Sequence, residues 1–188
     1  WNIYSPKYAP VRVVEFPGGK NKSLELRDMD PGDFAKAQRV FPESQKVRLT
    51  FKVLTRQTSG ELDIDVRSKT SGNYRPIRIW FDTDGNIKAE KGKGNTIVLM
   101  AYQKDIWYSF VVDIDTKAKK YAVKINMSSM LKDALFSESG DVSSVERLVF
   151  RTGPYRGVEL TNFTDPEKDH PVEPSVFYRD DVTSKTLK

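Results

Sequence analysis

No cysteine occurs among the 188 residues, and histidine occurs once, at His170. Without cysteine there is no disulfide, no thiolate nucleophile and no cysteine-bound zinc, although the compartment stays open on that ground. A single imidazole excludes a two-histidine metal centre, and the proline-bounded setting of His170 makes it an exposed, uninvolved ring. No apolar run approaches the ~18 residues needed to cross a bilayer, so a membrane partner is not expected. There is no G-x-S-x-G elbow, and Gly18-Gly19-Lys20 lacks the spaced glycines and the Lys-Ser/Thr order of a phosphate loop. Neither an RNA-recognition signature nor a Cys/His finger is present, so nucleic acid is not an expected partner.

What is there is a folded, polar-surfaced chain. Hydrophobic residues make up 38% and charged residues 30%, enough of the first to bury a real core and enough of the second to solvate its outside. One domain is expected at this length. The net charge of +5 suits a polyanionic partner, yet the 31 basic residues are interspersed with 26 acidic ones, which is also the pattern of an ordinary mixed surface. Because the sequence opens on Trp1, it reads as a mature protein or a segment of something larger.

Period-two patterning runs through the chain and helical periodicity hardly appears. It predicts about ten strands: Val11 to Phe16, Ser23 to Arg27, Lys46 to Leu54, Glu61 to Arg67, Ile77 to Phe81, Thr96 to Tyr102, Trp107 to Ile114, Tyr121 to Ile125, Val145 to Arg151 and Val176 to Val182. Turn residues at Thr58-Ser59-Gly60, Asp82-Thr83-Asp84-Gly85 and Asp115-Thr116-Lys117 join them as antiparallel meanders. Leu62, Ile64 and Val66 alternate with Glu61, Asp63, Asp65 and Arg67, so that strand should have one wet face. Trp107 to Val112 is nearly all apolar and reads as a central strand covered on both sides. The expected fold is therefore all-β: a two-sheet antiparallel sandwich over residues 11–183, with an N-terminal extension at 1–10 and a tail at 184–188. At most one short helix is expected, over Ser128 to Phe136, where Leu131, Ala134 and Leu135 would share a face. Phe163 to Pro174 reads as a long loop.

Several segments taken in order carry a resemblance: Asn21 to Asp28, Arg39-Val40-Phe41-Pro42, Ile77 to Gly85, Trp107-Tyr108, Glu146 to Gly153 and the closing Phe177-Tyr178-Arg179-Asp180-Asp181-Val182. Together they resemble the concanavalin A-like, jelly-roll or laminin-G-like sandwich modules of secreted bacterial polysaccharide lyases and glycoside hydrolases. The resemblance implies a secreted, periplasmic or cell-surface location and an accessory role beside a neighbouring catalytic domain, either binding glycan or bracing that domain. In similar modules an Asp-Asp-Val end strand contributes to a structural calcium site. The set implied here is Asp180 with Glu15 or Asp28, set against a plain hydrogen-bonding role for both terminal acids. Alternation puts Val176, Tyr178, Asp180 and Val182 on one face and Phe177, Arg179 and Asp181 on the other, so the paired carboxylates diverge and do not form an acid/base dyad.

Sugar binding rests on aromatic platforms flanked by groups that take up hydroxyls and charge. Tyr74 and Tyr155 stand beside loops, and Arg151 and Arg156 flank the Gly-Pro-Tyr turn, so these four are the expected carbohydrate-binding residues, for an acidic polysaccharide. At least one of Trp107 and Tyr108 is expected in the core. The opening aromatics Trp1, Tyr4 and Tyr8 are expected to pack against a neighbouring domain. Two other functions stay open. A lyase of the same fold could combine His170 with Tyr155, Tyr178, Arg151 or Arg156, a base removing the proton beside a uronate carboxylate that a cation neutralises. A purely structural inter-domain module would bind no glycan.

Overall fold

The computed structural model describes residues 1–69, 75–137, 142–153 and 171–187. Fourteen strands form two antiparallel sheets of seven, and the described residues contain no helix. In chain order they are β1 (Asn2–Tyr4), β2 (Val11–Glu15), β3 (Lys22–Asp28), β4 (Lys36–Ser44), β5 (Lys46–Thr55), β6 (Leu62–Arg67) and β7 (Ile77–Phe81). The remainder are β8 (Asn86–Glu90), β9 (Thr96–Ala101), β10 (Trp107–Asp115), β11 (Lys120–Ile125), β12 (Ser128–Leu135), β13 (Val145–Thr152) and β14 (Ser175–Thr186). Sheet A runs β1-β4-β13-β6-β7-β8-β9 and sheet B runs β12-β11-β10-β5-β14-β3-β2. The expected meanders are present as β6 to β9 and β10 to β12. The chain crosses between the sheets at β1–β2, β3–β4, β4–β5, β5–β6, β9–β10, β12–β13 and β13–β14, so the Thr58-Ser59-Gly60 turn joins strands of different sheets rather than a meander.

Alternation explains the core. Leu62, Ile64 and Val66 of β6, Ile79 and Phe81 of β7 and Leu148 and Phe150 of β13 turn inward to meet Leu49, Phe51 and Val53 of β5, Phe110 and Val112 of β10 and Phe177 of β14. Phe51 stacks on Phe110 with ring centroids 5.0 Å apart and meets Phe150 edge-on at 5.3 Å, so aromatic contacts stitch the sheets at the centre. Tyr108 lies in this core, with its hydroxyl accepting a hydrogen bond from the Gln103 amide, while Trp107 packs outside with Phe16 and Tyr178. β10 is thus not covered on both sides: its positions alternate between buried and half-buried along the whole strand.

The expected helix at Ser128 to Phe136 is a strand. Leu131 and Ala134 are both buried three residues apart, which reads as helical spacing, but the cause is a register shift between β11 and β12 with Asp133 at φ 51°. The extra residue turns both side chains to one face of a strand. Short or small-residue strands β1, β4 and β8 carry too weak an alternation to be read from sequence. Residues 2–4 and 184–186, expected to lie outside the sandwich, belong to β1 and β14.

At its far end β14 departs from simple alternation. A register shift between Asp180 and Thr183, with Asp181 at φ 50°, turns Val182 back against the core instead of to the face of Tyr178 and Asp180. The two acids diverge as expected. Asp180 Oδ2 accepts from Asn21 Nδ2 at 2.8 Å and Ser23 Oγ at 3.2 Å, on the β3 side, whereas Asp181 pairs with Lys52 of β5 at 2.7 Å.

Candidate functional site

Outside sheet A, the residues that alternate with the core form a charged face. Register places Lys36, Arg151, Asp63, Trp80 and Lys88 in one row across β4, β13, β6, β7 and β8. At ~4.8 Å per strand, the row spans roughly 19 Å. A second row sets Gln38, Val149, Asp65 and Arg78 beside it, and Arg147 pairs with Arg67 beyond.

This face is polar but not wet. Asp63 and Asp65 have 0% exposure, contrary to the expectation for β6. A buried carboxylate needs partners, and here they are arginines: Arg78 Nε donates to Asp63 Oδ1 at 2.5 Å and Arg67 Nη2 to Asp65 Oδ2 at 2.6 Å. Burial, then the charge of Asp65, pushes the Asp63 carboxyl up to about 7 against the pull of Arg78. Burial alone would pull Arg78 down, but its hydrogen bond to Asp63 and the nearby carboxylates raise it. Each partner thus holds its proton more tightly. Trp80 lies beneath Arg78, whose guanidinium carbon is 4.1 Å from the ring centroid, and Lys88 bridges Asp82 and Asp84 at 2.6 Å each.

At the β1 end the row opens onto an aromatic and cationic corner. Tyr4 pairs with Lys36 across β1 and β4 and packs against Phe34 at a tilt of 40°, with centroids 5.1 Å apart. Arg151 lies 3.8 Å over the Phe34 ring and donates to the Gly153 carbonyl, and Lys36 Nζ sits 6.0 Å from the Tyr4 centroid. Tyr4 keeps 43% of its surface exposed, its hydroxyl donating to Asp33 Oδ2 at 2.7 Å. Lys36 forms no hydrogen bond or ion pair with any described residue, and burial together with the charges of Arg67 and Arg151 pulls its ammonium down. An exposed ring beside cations that repel one another suits the apolar face of a sugar on one side and its negative group on the other.

Of the expected carbohydrate-binding residues, Tyr74, Tyr155 and Arg156 lie outside the described residues, as does His170. Arg151 is at this corner but buried, at 8% exposure, as a support for the ring cluster rather than an exposed grip. Tyr4 and Lys36 were missed because Tyr4 falls in the supposed extension and β4 has no clean alternation. The opening aromatics were the available signal.

The residues considered for calcium do not fit that ion. Asp28 ends β3, where its carboxylate accepts from Thr152 Oγ1 at 2.6 Å and the Asp30 amide at 2.9 Å. Glu15 pairs with Lys22 at the opposite end of that strand, roughly 20 Å away at ~3.4 Å per residue. Asp180 is committed to Asn21, Ser23 and the Asp181 amide. Among the described residues no group of three or more His, Cys, Asp or Glu side chains is placed to hold a metal.

The chain belongs to the sialidase-like carbohydrate-binding domain family, whose family model (Sialidase-like, CBM domain) matches residues 1–169. A solved sialidase superposes with a TM-score of 0.84 at 24% identity over 99% of this chain, which spans only 17% of that protein's length. The endo-β-1,4-glucuronan lyase of the fungus Trichoderma reesei is similar with a TM-score of 0.66 at 12% identity, covering 99% of this chain and 90% of the lyase. Alginate lyase AlyC3, solved with dimannuronate, gives 0.61 at 9% identity, covering 96% and 78%. At these identities the structures share the fold alone. No curated protein sequence matches the chain.

Proposed function

We propose that this chain is a non-catalytic carbohydrate-binding module of a secreted carbohydrate-active enzyme, and that it takes an acidic polysaccharide across the β1 end of the outer face of sheet A. The observation that carries the reading is the corner of exposed Tyr4 with the supporting Arg151 and with Lys36, which has no ion pair among the described residues. Tyr4 supplies the stacking surface, and Lys36 meets a carboxylate or sulfate. The net charge of +5 favours such a ligand at longer range. Exposed charge contacts contribute about 0 to 1 kcal/mol each, so millimolar binding is expected.

Affinity electrophoresis on neutral, uronic and sulfated glycans tests this. Retardation by the uronic or sulfated polymers, relieved at high salt because screening shortens the Debye length to about 3 Å at 1 M, is the expected result. Retardation by neutral glycans alone removes the acidic part, and retardation by none points to a structural brace. A rise in ultraviolet absorbance on incubation with a uronic polymer would instead show a lyase.

A further inference from the structure

The inward face of β1 borders a different feature. Where Tyr4 and Asn2 face outward, Trp1 and Ile3 turn toward sheet B and roof a cleft between the two sheets. Its volume is about 410 Å3, within the ~300–1,000 Å3 typical of small-ligand sites. Ile3, Val13 and Leu24 form apolar walls, and a separate cavity of about 200 Å3, lined by Phe41, Leu49 and Leu148, shares Arg39 and Val182 with it.

Two arginines meet at the cleft with no ion-pair partner among the described residues. Arg179 of β14 is inward-facing and only 7% exposed, yet it forms no hydrogen bond or ion pair with any described residue, and its buried Nε is unsatisfied. Its guanidinium lies 3.8 Å from the Trp1 ring centroid and 5.1 Å from that of Phe150. Arg39 of β4 approaches the same indole at 5.5 Å, is exposed, and also lacks any hydrogen bond or ion pair among the described residues. A guanidinium left unpaired inside a sandwich is costly unless something charged completes it. Burial pulls Arg179 down to about 10, with the charge of Arg39 adding to the effect against the opposing pull of Asp180.

The nearby acids do not complete it. Asp180 is held by Asn21, Ser23 and the Asp181 amide, and Asp181 pairs with Lys52. Lys22 adds a third cation to the lining.

We propose that this cleft is a second binding site, taking the carboxylate of an anionic sugar. The carboxylate would lie between Arg39 and Arg179, whose planar forks match its two oxygens, while the Trp1 indole and the Ile3 and Val13 side chains cover the apolar face of the ring. It is separate from the Tyr4 corner, being on the opposite face of the same strand, and does not depend on that reading.

Titration of the full chain with methyl β-D-glucuronide, followed by calorimetry and tryptophan emission, tests the site against methyl β-D-glucoside, which has the same ring without the charge. Arg179 packs on Phe150 and its removal endangers the fold, so the exposed Arg39 carries the test. The glucuronide should bind and change the emission, and the glucoside should not. Arg39→Ala should weaken glucuronide binding about tenfold, as expected for one hydrogen bond to a charged group, with an unchanged melting temperature. Trp1→Leu should remove the emission change. Glucuronide affinity unaltered by both substitutions, equal affinity for the glucoside or for inorganic phosphate, or no binding would each overturn the proposal. The electrophoretic result for Lys36 variants is independent of all of these, so failure of the cleft and failure of the outer face are told apart.

Discussion

Asp63 on β6 and Arg78 on β7 meet diagonally, Oδ1 to Nε, at 2.5 Å, and the carboxylate is fully sealed from solvent. An ion pair this close would ordinarily lower a carboxyl pKa, but burial and the neighbouring Asp65 outweigh Arg78 and push it up to about 7.

The sign of the resulting pH dependence is fixed by linkage. An unfolded aspartate titrates near ~3.9. The folded state holds the Asp63 proton more tightly, so its contribution to stability is complete below about pH 4 and is lost as pH rises through about 7. Thermal melts of the wild type and Asp63→Asn from pH 4 to 8 should therefore show the wild type losing ground to the variant as pH rises. A difference that does not change with pH would refute this assignment.

Asp180 ties β14 to the β2–β3 turn across 159 residues of sequence. Asp180→Ala leaves Asn21 Nδ2 and Ser23 Oγ with only the Phe16 carbonyl as their common acceptor and should cost about 0.5–1.5 kcal/mol in urea unfolding. Asn21→Ala removes part of the same network, so the double variant should lose less than the sum of the singles. Strict additivity would show that the two side chains act separately.

Gly60 precedes β6 at φ +156°, and a Cβ there would stand 2.4 Å from Ser175 Oγ and 2.9 Å from Ser175 Cβ. Gly60→Ala must displace the first residue of β14, and a loss of about 1–3 kcal/mol is expected. Denaturant titration checks it, and wild-type stability would mean that the start of β14 yields freely.

At the outer face, Lys36→Ala should reduce retardation by acidic glycans and flatten its salt dependence while changing stability by no more than about 0.5 kcal/mol, since among the described residues the ammonium forms no hydrogen bond or ion pair and only a long contact with the Tyr4 ring. Tyr4→Ala should reduce retardation at every salt concentration. Full retention in both variants would place glycan binding elsewhere.

Alternation alone made much of this architecture legible. Val11 to Glu15, Ile77 to Phe81 and Trp107 to Ile114 repeat at the strand period and lie in strands, and Asp, Asn and Gly between them mark reversals. Where the period was interrupted, it misled. Asp133 adds a residue that gives Leu131 and Ala134 a helical interval, and the irregularity after Asp180 returns Val182 to the core. Asp63 and Asp65 were assigned to the right face but to the wrong environment, because alternation gives a direction and says nothing of what covers it.

By itself, then, the sequence determined that the chain is a sandwich of antiparallel strands without thiol, two-histidine or phosphate-loop chemistry, since residue types and a period of two are local properties. Only the tertiary structure decided which side chains meet. Tyr4 stands beside Lys36, Trp1 beside Arg39 and Arg179, and Asp28 far from Glu15, because strands distant in sequence become neighbours through the crossing order of the two sheets. A binding site is a matter of such long-range proximity, which no local pattern encodes.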